Sequence, residues 1–286
     1  MVKLSIGTVQ FGLDYGMANT AGQVSLYNAN AILHVAYDND IQALDTAIAY
    51  GTSEQVLGKI GVADFQVVTK LPAIPEGSPK QSWAEKQLAE SLHRLQLSKV
   101  YGALLHQPLQ LLEQNGSKIY DSMQKAKKDG LVEKIGISVY EPGDLEKLCN
   151  QYDFDLIQVP MNIIDNRWDD WLSELHSRKV EIHVRSVFLQ GLLLMSQQAR
   201  PNKFDKWADL WNKWENWLKE HNLTPLEACL RYVLSKPEIA KVIVGVDSKE
   251  QLQQIIEAVN GDLPEFPSDI KINDVQLLNP SNWSVL

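Results

Sequence analysis

Cysteine is nearly absent from this 286-residue chain: Cys149 and Cys229 sit in helix-like segments, without metal-ligand spacing. That excludes a disulfide framework and a thiolate metal centre, and free thiols in a reducing compartment are expected. No apolar run approaches the roughly 20 residues that span a bilayer, and no signal-type apolar core precedes the strand-like run at Met1-Val2-Lys3-Leu4. A cytoplasmic protein with no membrane partner is the expectation. Positive charge is in deficit, with 27 Lys and Arg against 36 Asp and Glu and a formal balance of −9. Such a surface disfavours nucleic acid and anionic membrane, leaving a small molecule in a local pocket as the expected partner; a homo-oligomer stays open. No linker rich in Pro, Gly or Ser divides the chain, and no internal repeat is found. Nor does Gly-x-Gly-x-x-Gly follow the first strand-like run, so the usual dinucleotide fingerprint of a doubly wound open sheet is missing.

What is present is alternation. The chain is 44% hydrophobic, enough for one barrel-sized core. Apolar runs predict strands at 4–8, 43–46, 65–70, 100–105, 134–138, 156–159, 181–186 and 241–245. Several are uniformly apolar, as strands covered on both faces are. Amphipathic stretches between them predict helices near 26–39, 53–60, 79–95, 117–129, 142–151, 168–178, 204–220, 225–235 and 248–259. Helix punctuation agrees: Thr224-Pro225 opens a helix, Ser248-Lys249-Glu250-Gln251 has a capping-box pattern, and Lys127-Lys128-Asp129-Gly130 closes one. Eight such units predict a single (β/α)8 TIM barrel over 1–286, with a weakly periodic tail at 260–286 that is expected to cover one barrel mouth.

Three strings place titratable residues at the ends of predicted strands, where barrel active sites form. They are Asp45-Thr46-Ala47-Ile48-Ala49-Tyr50-Gly51, Val67-Val68-Thr69-Lys70 and Leu104-Leu105-His106-Gln107-Pro108. The second, third and fourth strands are neighbours, so Asp45, Tyr50, Lys70 and His106 can converge. A phenol titrates near ~10 and is a weak acid at neutral pH. A lysine ammonium favours its anion, a carboxylate keeps that lysine charged, and a histidine can orient a carbonyl oxygen. The set suits carbonyl reduction, with Tyr50 as proton donor. Singly, each residue also has an ordinary role as cap, packing residue or surface charge.

With these residues in order, the chain resembles the aldo-keto reductase family over nearly its whole length. Gly7-Thr8, Asp45…Tyr50-Gly51, Lys70, Leu105-His106, Gly136-Ile137-Ser138, Gln158…Asn162 and Gly191-Leu192-Leu193 carry the resemblance. It implies a TIM barrel binding a nicotinamide cofactor, NADP or NAD, across its mouth, with Asp45, Tyr50, Lys70 and His106 as the catalytic tetrad. It further implies that Ser138 and Gln158 hold the carboxamide, although the usual Ser-Asn pair is Ser138-Val139 here, and that Gly7, Thr8 and Asp45 back the ribose. Asn162 would compensate for the lost amide contact or shape the substrate pocket. Arg185 stands where many members carry a stacking aromatic, and a guanidinium also stacks; a salt bridge to a mouth carboxylate is the plainer alternative. Ser186 and Phe188 would also contact the cofactor, and Gln190 and Gly191 would lie near the pyrophosphate. Basic residues expected for a 2′-phosphate are replaced by Gly245 and Gln251, Asp247 adds negative charge, and Lys249 alone stays within reach. Dual or NAD-leaning use is expected.

Gln10, and Asp14 and Tyr15 in a turn bounded by Gly12 and Gly16, offer polar contacts to substrate beside Tyr50, His106 and Asn162. Asn19, Asn166 and Arg167 would add to them. The run Gly7-Thr8-Val9-Gln10-Phe11-Gly12-Leu13-Asp14-Tyr15-Gly16 is similar to reductases of bacterial surface-sugar pathways, which implies a sugar or sugar-derived carbonyl. Trp207, Trp211, Trp214 and Trp217 form a helical stripe that suits packing or, alternatively, a partner face. Two further readings remain: a weakly catalytic cofactor-sensing protein of the same fold, and a barrel enzyme using Lys70 as a Schiff-base nucleophile.

Overall fold

Eight short strands, apolar enough to be buried on both faces, pair in parallel: β1 (Leu4–Gly7), β2 (Ala43–Asp45), β3 (Gln66–Leu71), β4 (Val100–Leu105), β5 (Val132–Ser138), β6 (Leu156–Pro160), β7 (Glu181–Arg185) and β8 (Ile239–Gly245). Each lies beside its sequence neighbours and β8 closes on β1, which leaves no open edge. The (β/α)8 TIM barrel expected from the alternation is the observed architecture. It comes from a computed structural model that describes residues 3–17, 19 and 22–285. Met1 and Val2 of the first strand-like run, and Ala18 of the turn after it, lie outside the described residues.

The helices are α1 (Val9–Gly12), α2 (Leu26–Asp38), α3 (Ser53–Ile60), α4 (Trp83–Leu95), α5 (Ser117–Lys128), α6 (Pro142–Cys149), α7 (Asp169–Ser177), α8 (Ala208–Glu220), α9 (Pro225–Leu234), α10 (Lys249–Ala258) and α11 (Val275–Leu278). Caps set several of their starts. Thr224 and Glu227 form a full capping box at α9, and the Ser248 hydroxyl accepts from the Gln251 N–H at α10. The α10 box is incomplete, because the Gln251 side chain reaches back to the Asp247 N–H instead. Two predicted helices are shortened. The stretch at 79–95 becomes helical only at Trp83, after Ser82 in the left-handed region (φ 57°). The stretch at 204–220 divides into a 3-10 turn, Asn202–Trp207, followed by α8.

Alternation along the strands stacks the barrel interior in layers. Val68, Leu104 and Leu156 form an apolar middle layer. Two residues further along the chain, Lys70, His106 and Gln158 stand at the C-terminal mouth. Towards the opposite end, Glu181 takes hydrogen bonds from Tyr101, Lys134 and His183. Burial disfavours the Glu181 charge, but these donors outweigh it and bring the carboxyl down to about 2. Gly136 is required by close approach, since a Cβ there would run into the Leu156 carbonyl oxygen.

The tryptophan stripe is packing. Trp211, Trp214 and Trp217 are buried, and Trp207, half-buried, precedes α8. Trp207 donates to Asp274 at 3.0 Å and Trp217 to the Glu265 carbonyl at 3.3 Å, while Trp283 packs edge-on against Phe204 at 5.0 Å. The tail at 260–285 thus lies along the α8 side, Leu286 lying outside the described residues, and none of its described residues lines the mouth cavity. This differs from the expected cover, because Asp274, Phe266 and the Glu265 carbonyl engage the stripe while Trp283 packs on Phe204. Both cysteines are free, Cys229 buried and Cys149 half-buried. Among the described residues no helix is long and apolar enough to cross a membrane, and no metal-binding cluster of His, Cys, Asp and Glu occurs.

Candidate active site

Asp45 ends β2, Lys70 is the penultimate residue of β3, and His106 directly follows β4, so all three rise at the mouth. Tyr50 reaches them from the turn before α3. The Lys70 ammonium donates to Asp45 Oδ2 at 2.5 Å, to the Thr46 carbonyl at 3.0 Å and to the Tyr50 hydroxyl at 3.3 Å. Gln158 fixes the other Asp45 oxygen with a 2.6 Å hydrogen bond and lies 3.4 Å from the Ser138 hydroxyl. Below this, Ser53 donates to Thr8 and lies within hydrogen-bond reach of Thr46, while the Thr8 N–H and hydroxyl donate to the Asp45 carbonyl. The His106 ring stands edge-on to Tyr50, with centroids 6.0 Å apart.

Burial would strip Lys70 of its charge, but the Asp45 carboxylate and the Tyr50 hydroxyl together outweigh it and hold the ammonium above its usual range. Tyr50 behaves differently from the sequence-based expectation. Burial pushes its hydroxyl up, and the Lys70 charge only partly offsets this. Burial, then the Lys70 and Arg185 charges, push His106 down to about 4, so its ring is neutral at pH 7. The arrangement therefore presents a protonated phenol and a neutral imidazole beside one buried, compensated ammonium. It can give a proton to an oxygen at the cavity floor and stabilise the phenolate that remains.

A cavity of about 370 Å³ opens above them, within the usual range for small-ligand sites. Its wall runs from Tyr50 and His106 past Gly7, Thr8, Gln10 and Tyr15, along the loop after β7, to Gly245, Asp247 and Gln251. Ser186, Phe188, Gln190 and Gly191 line it too, and Ser186, Leu189 and Gln190 hold left-handed backbone (φ 50–61°). Strain of that kind, about 1 kcal/mol or more per residue, collects at ligand sites. A Cβ at Gly245 would strike the Gln10 amide, so glycine leaves this wall open. Gln10 Oε1 and Asp247 Oδ1 are buried acceptors without a partner among the described residues. Open backbone beside unpaired acceptors fits a hydroxyl-rich nucleotide.

Other expected contacts fall elsewhere. Asp14 is exposed, and Lys249 is exposed beside Glu250 at 4.0 Å; neither lines the cavity. Lys70, Ser138 and Gln158 lie beneath it. Asn162 is buried off the wall, its Oδ1 accepting from Ile164 N–H and its Nδ2 unpartnered among the described residues. Asn19 anchors its own turn on the Tyr15 and Gly22 carbonyls. Arg167 is locked by Asp165 and Glu141 at 2.8 Å each. Arg185 forms no mouth salt bridge among the described residues; its guanidinium stacks on Tyr140 at 4.0 Å. Tyr140 and Gln254 line the cavity and were missed by sequence reasoning. Tyr140 follows the end of β5 by two residues, and Gln254 shares a helix face with Gln251, so each carried a positional signal.

The aldo/keto reductase family model matches residues 3–268. The chain belongs to the aldo/keto reductase family. It is 24% identical to an uncharacterized oxidoreductase, YqkF, of Bacillus subtilis, covering 91% of this chain and 92% of that protein. It is 27% identical to an L-galactose dehydrogenase of Arabidopsis thaliana, covering 90% and 85%. In structure it is similar to the holo form of the aldo-keto reductase AKR11C1 from Bacillus halodurans, with TM-score 0.73, 20% identity, and 92% and 88% of the two chains covered. As a member of this family the protein is an oxidoreductase of the NAD(P)-dependent type.

Proposed function

We propose that this protein interconverts a sugar-derived carbonyl and its alcohol, with Tyr50 as the general acid and base. The observation that carries the proposal is the Lys70 ammonium, shared between Asp45 at 2.5 Å and the Tyr50 hydroxyl at 3.3 Å at the floor of the cavity. A bound nicotinamide supplies or accepts the hydride. The protein's own part is the proton. Neutral His106 donates a hydrogen bond to the carbonyl oxygen and turns it towards Tyr50. The Tyr50 proton passes to that oxygen, and Lys70 stabilises the phenolate until solvent reprotonates it; oxidation runs through the same groups in reverse. Because Asp45 and Tyr50 together keep Lys70 charged, the Schiff-base alternative, which needs a neutral amine, loses its support.

Gly7, Thr8 and the loop from Ser186 to Gly191 would carry the middle of the cofactor, with Ser138 and Gln158 behind the nicotinamide. Gly245, Asp247 and Gln251 would take the adenosine ribose. Among the described residues Asp247 is the one ionisable side chain on that part of the wall, and no lysine lines it. A carboxyl group accepts from ribose hydroxyls and repels a 2′-phosphate, which supports NAD use at least equal to NADP use. Gln10, Tyr15 and Gln190 give the wall hydrogen-bonding capacity suited to a polyol, and the similarity to an L-galactose dehydrogenase supports the same class. Turnover of a keto-sugar panel against aromatic aldehydes, with NADH and NADPH in parallel, tests the proposal. Activity confined to the aldehydes contradicts the sugar assignment, and a thousandfold preference for NADPH contradicts the cofactor assignment.

A further inference from the structure

The chain has six arginines, and five of them pair with carboxylates: Arg94 with Glu54, Arg167 with Asp165 and Glu141, Arg178 with Glu174, Arg200 with Glu215 and Arg231 with Glu227. Arg185 has no ion pair among the described residues, yet it is half-buried. Among the described residues it is also the one Lys or Arg side chain lining the cavity. A desolvated cation without a counter-charge is costly unless a ligand supplies that charge.

Its position is held, not free. The guanidinium stacks on the Tyr140 ring at 4.0 Å and donates to the Ser186 hydroxyl at 3.3 Å and the Val139 carbonyl at 3.2 Å. Its remaining N–H groups are unspent among the described residues. The charge sits at the reacting end of the cavity, because it acts on Tyr50, His106 and Tyr15. His106 is neutral there, and the Asp45 charge is matched by Lys70. The reacting end therefore carries one net positive charge, whereas the far end carries Asp247.

We propose that Arg185 is a specificity residue that binds a carboxylate of the substrate, so that the preferred carbonyl compound is a sugar acid rather than a neutral sugar. This rests on the carbonyl-reducing assignment above and narrows its substrate class. A single guanidinium matches a monoanionic carboxylate in charge and fork geometry, and a phosphate dianion would call for a second cation, which no other described residue of the wall supplies.

The test compares kcat/KM for D-glucuronate, D-glucose and D-glucose 6-phosphate with wild type, Arg185→Met and Arg185→Lys. The three sugars share the reacting aldehyde and differ at the sixth carbon. Wild type is expected to favour glucuronate over glucose by about 10- to 100-fold, the usual worth of a charge-assisted contact. Arg185→Met should bring that ratio close to one, and Arg185→Lys should keep part of it. Because a ratio is read, any effect of the variant on cofactor binding cancels. Titration calorimetry on Tyr50→Phe protein loaded with oxidised cofactor reads the same selectivity without turnover, with heat expected for glucuronate and none for glucose. Equal wild-type ratios, a ratio unchanged in Arg185→Met, or a preference for glucose 6-phosphate over glucuronate overturns the proposal. Failure of the underlying assignment looks different: glucuronate still binds in the calorimeter, but none of the sugars is turned over by wild type.

Discussion

Replacing Lys70 by methionine removes the ammonium and keeps the side-chain length, which separates charge from packing. Lys70 is 1% exposed and its partner Asp45 is 3% exposed, so the variant strands a carboxylate in the barrel mouth. Breaking a buried pair on one side costs about 3–5 kcal/mol. For a chain of this size that corresponds to a fall in Tm of roughly 10 °C. The chemical effect is separate. Lys70 is the main influence that opposes the burial-driven rise of the Tyr50 hydroxyl. Without it Tyr50 titrates higher still, so alcohol oxidation, which needs the phenolate, loses rate and its rising pH limb moves to more alkaline pH. General acid–base groups contribute about 10²- to 10⁴-fold, and kcat should fall within that range. Lys70→Arg, which keeps the charge, should recover part of the activity. The assay is initial-rate alcohol oxidation from pH 6 to 10, with thermal unfolding in parallel. A Lys70→Met enzyme with an unshifted limb and kcat within threefold of wild type would refute the coupling between these two side chains.

Four other outcomes follow. His106 titrates at about 4 when folded and near ~6.5 when unfolded, so the unfolded chain binds more protons between those values and stability falls as pH drops through that window. This group accounts for about 3 kcal/mol of that loss; chemical denaturation of His106→Gln should show a flatter pH dependence, and an identical slope contradicts the assignment. Asp247→Lys should raise the NADPH-to-NADH ratio of kcat/KM by about tenfold or more, as expected for replacing a repulsive charge with an attractive one; no change would remove Asp247 from the ribose site. Trp283→Ala should cost about 3–5 kcal/mol by denaturation with kcat retained, since the tail lies off the cavity; lost turnover in folded variant protein contradicts that placement. Gly136→Ala should fail to accumulate as folded protein, because the added carbon meets the Leu156 carbonyl; a wild-type Tm would show that the barrel yields there.

The barrel was legible because strands buried on both faces announce themselves as apolar runs, and closure follows once eight alternate with helices. Asp45, Lys70 and His106 were legible because each ends or follows such a run, and the mouth is where those ends meet. Tyr140 was not, since its place over Arg185 depends on how the loop after β5 turns across the mouth. The ionisation of Tyr50 was misjudged for a related reason: the lysine is visible in the chain, whereas the depth of burial that outweighs it is a property of the assembled barrel. Arg167 looked available by position but is consumed by Asp165, two residues earlier, and by Glu141 from the preceding loop. The tail's weak periodicity concealed its anchors, because Trp207, Trp217 and Phe204 complete their packing only against residues some 50 to 80 positions away.

The central claim is that the Tyr50 hydroxyl delivers the proton during carbonyl reduction. Single-turnover reduction by Tyr50→Phe protein, with NADH binding followed by fluorescence, tests it most directly. The account predicts cofactor binding within a few-fold of wild type and a hydride-transfer rate lower by about 10²- to 10⁴-fold. A variant that transfers hydride at the wild-type rate would contradict it.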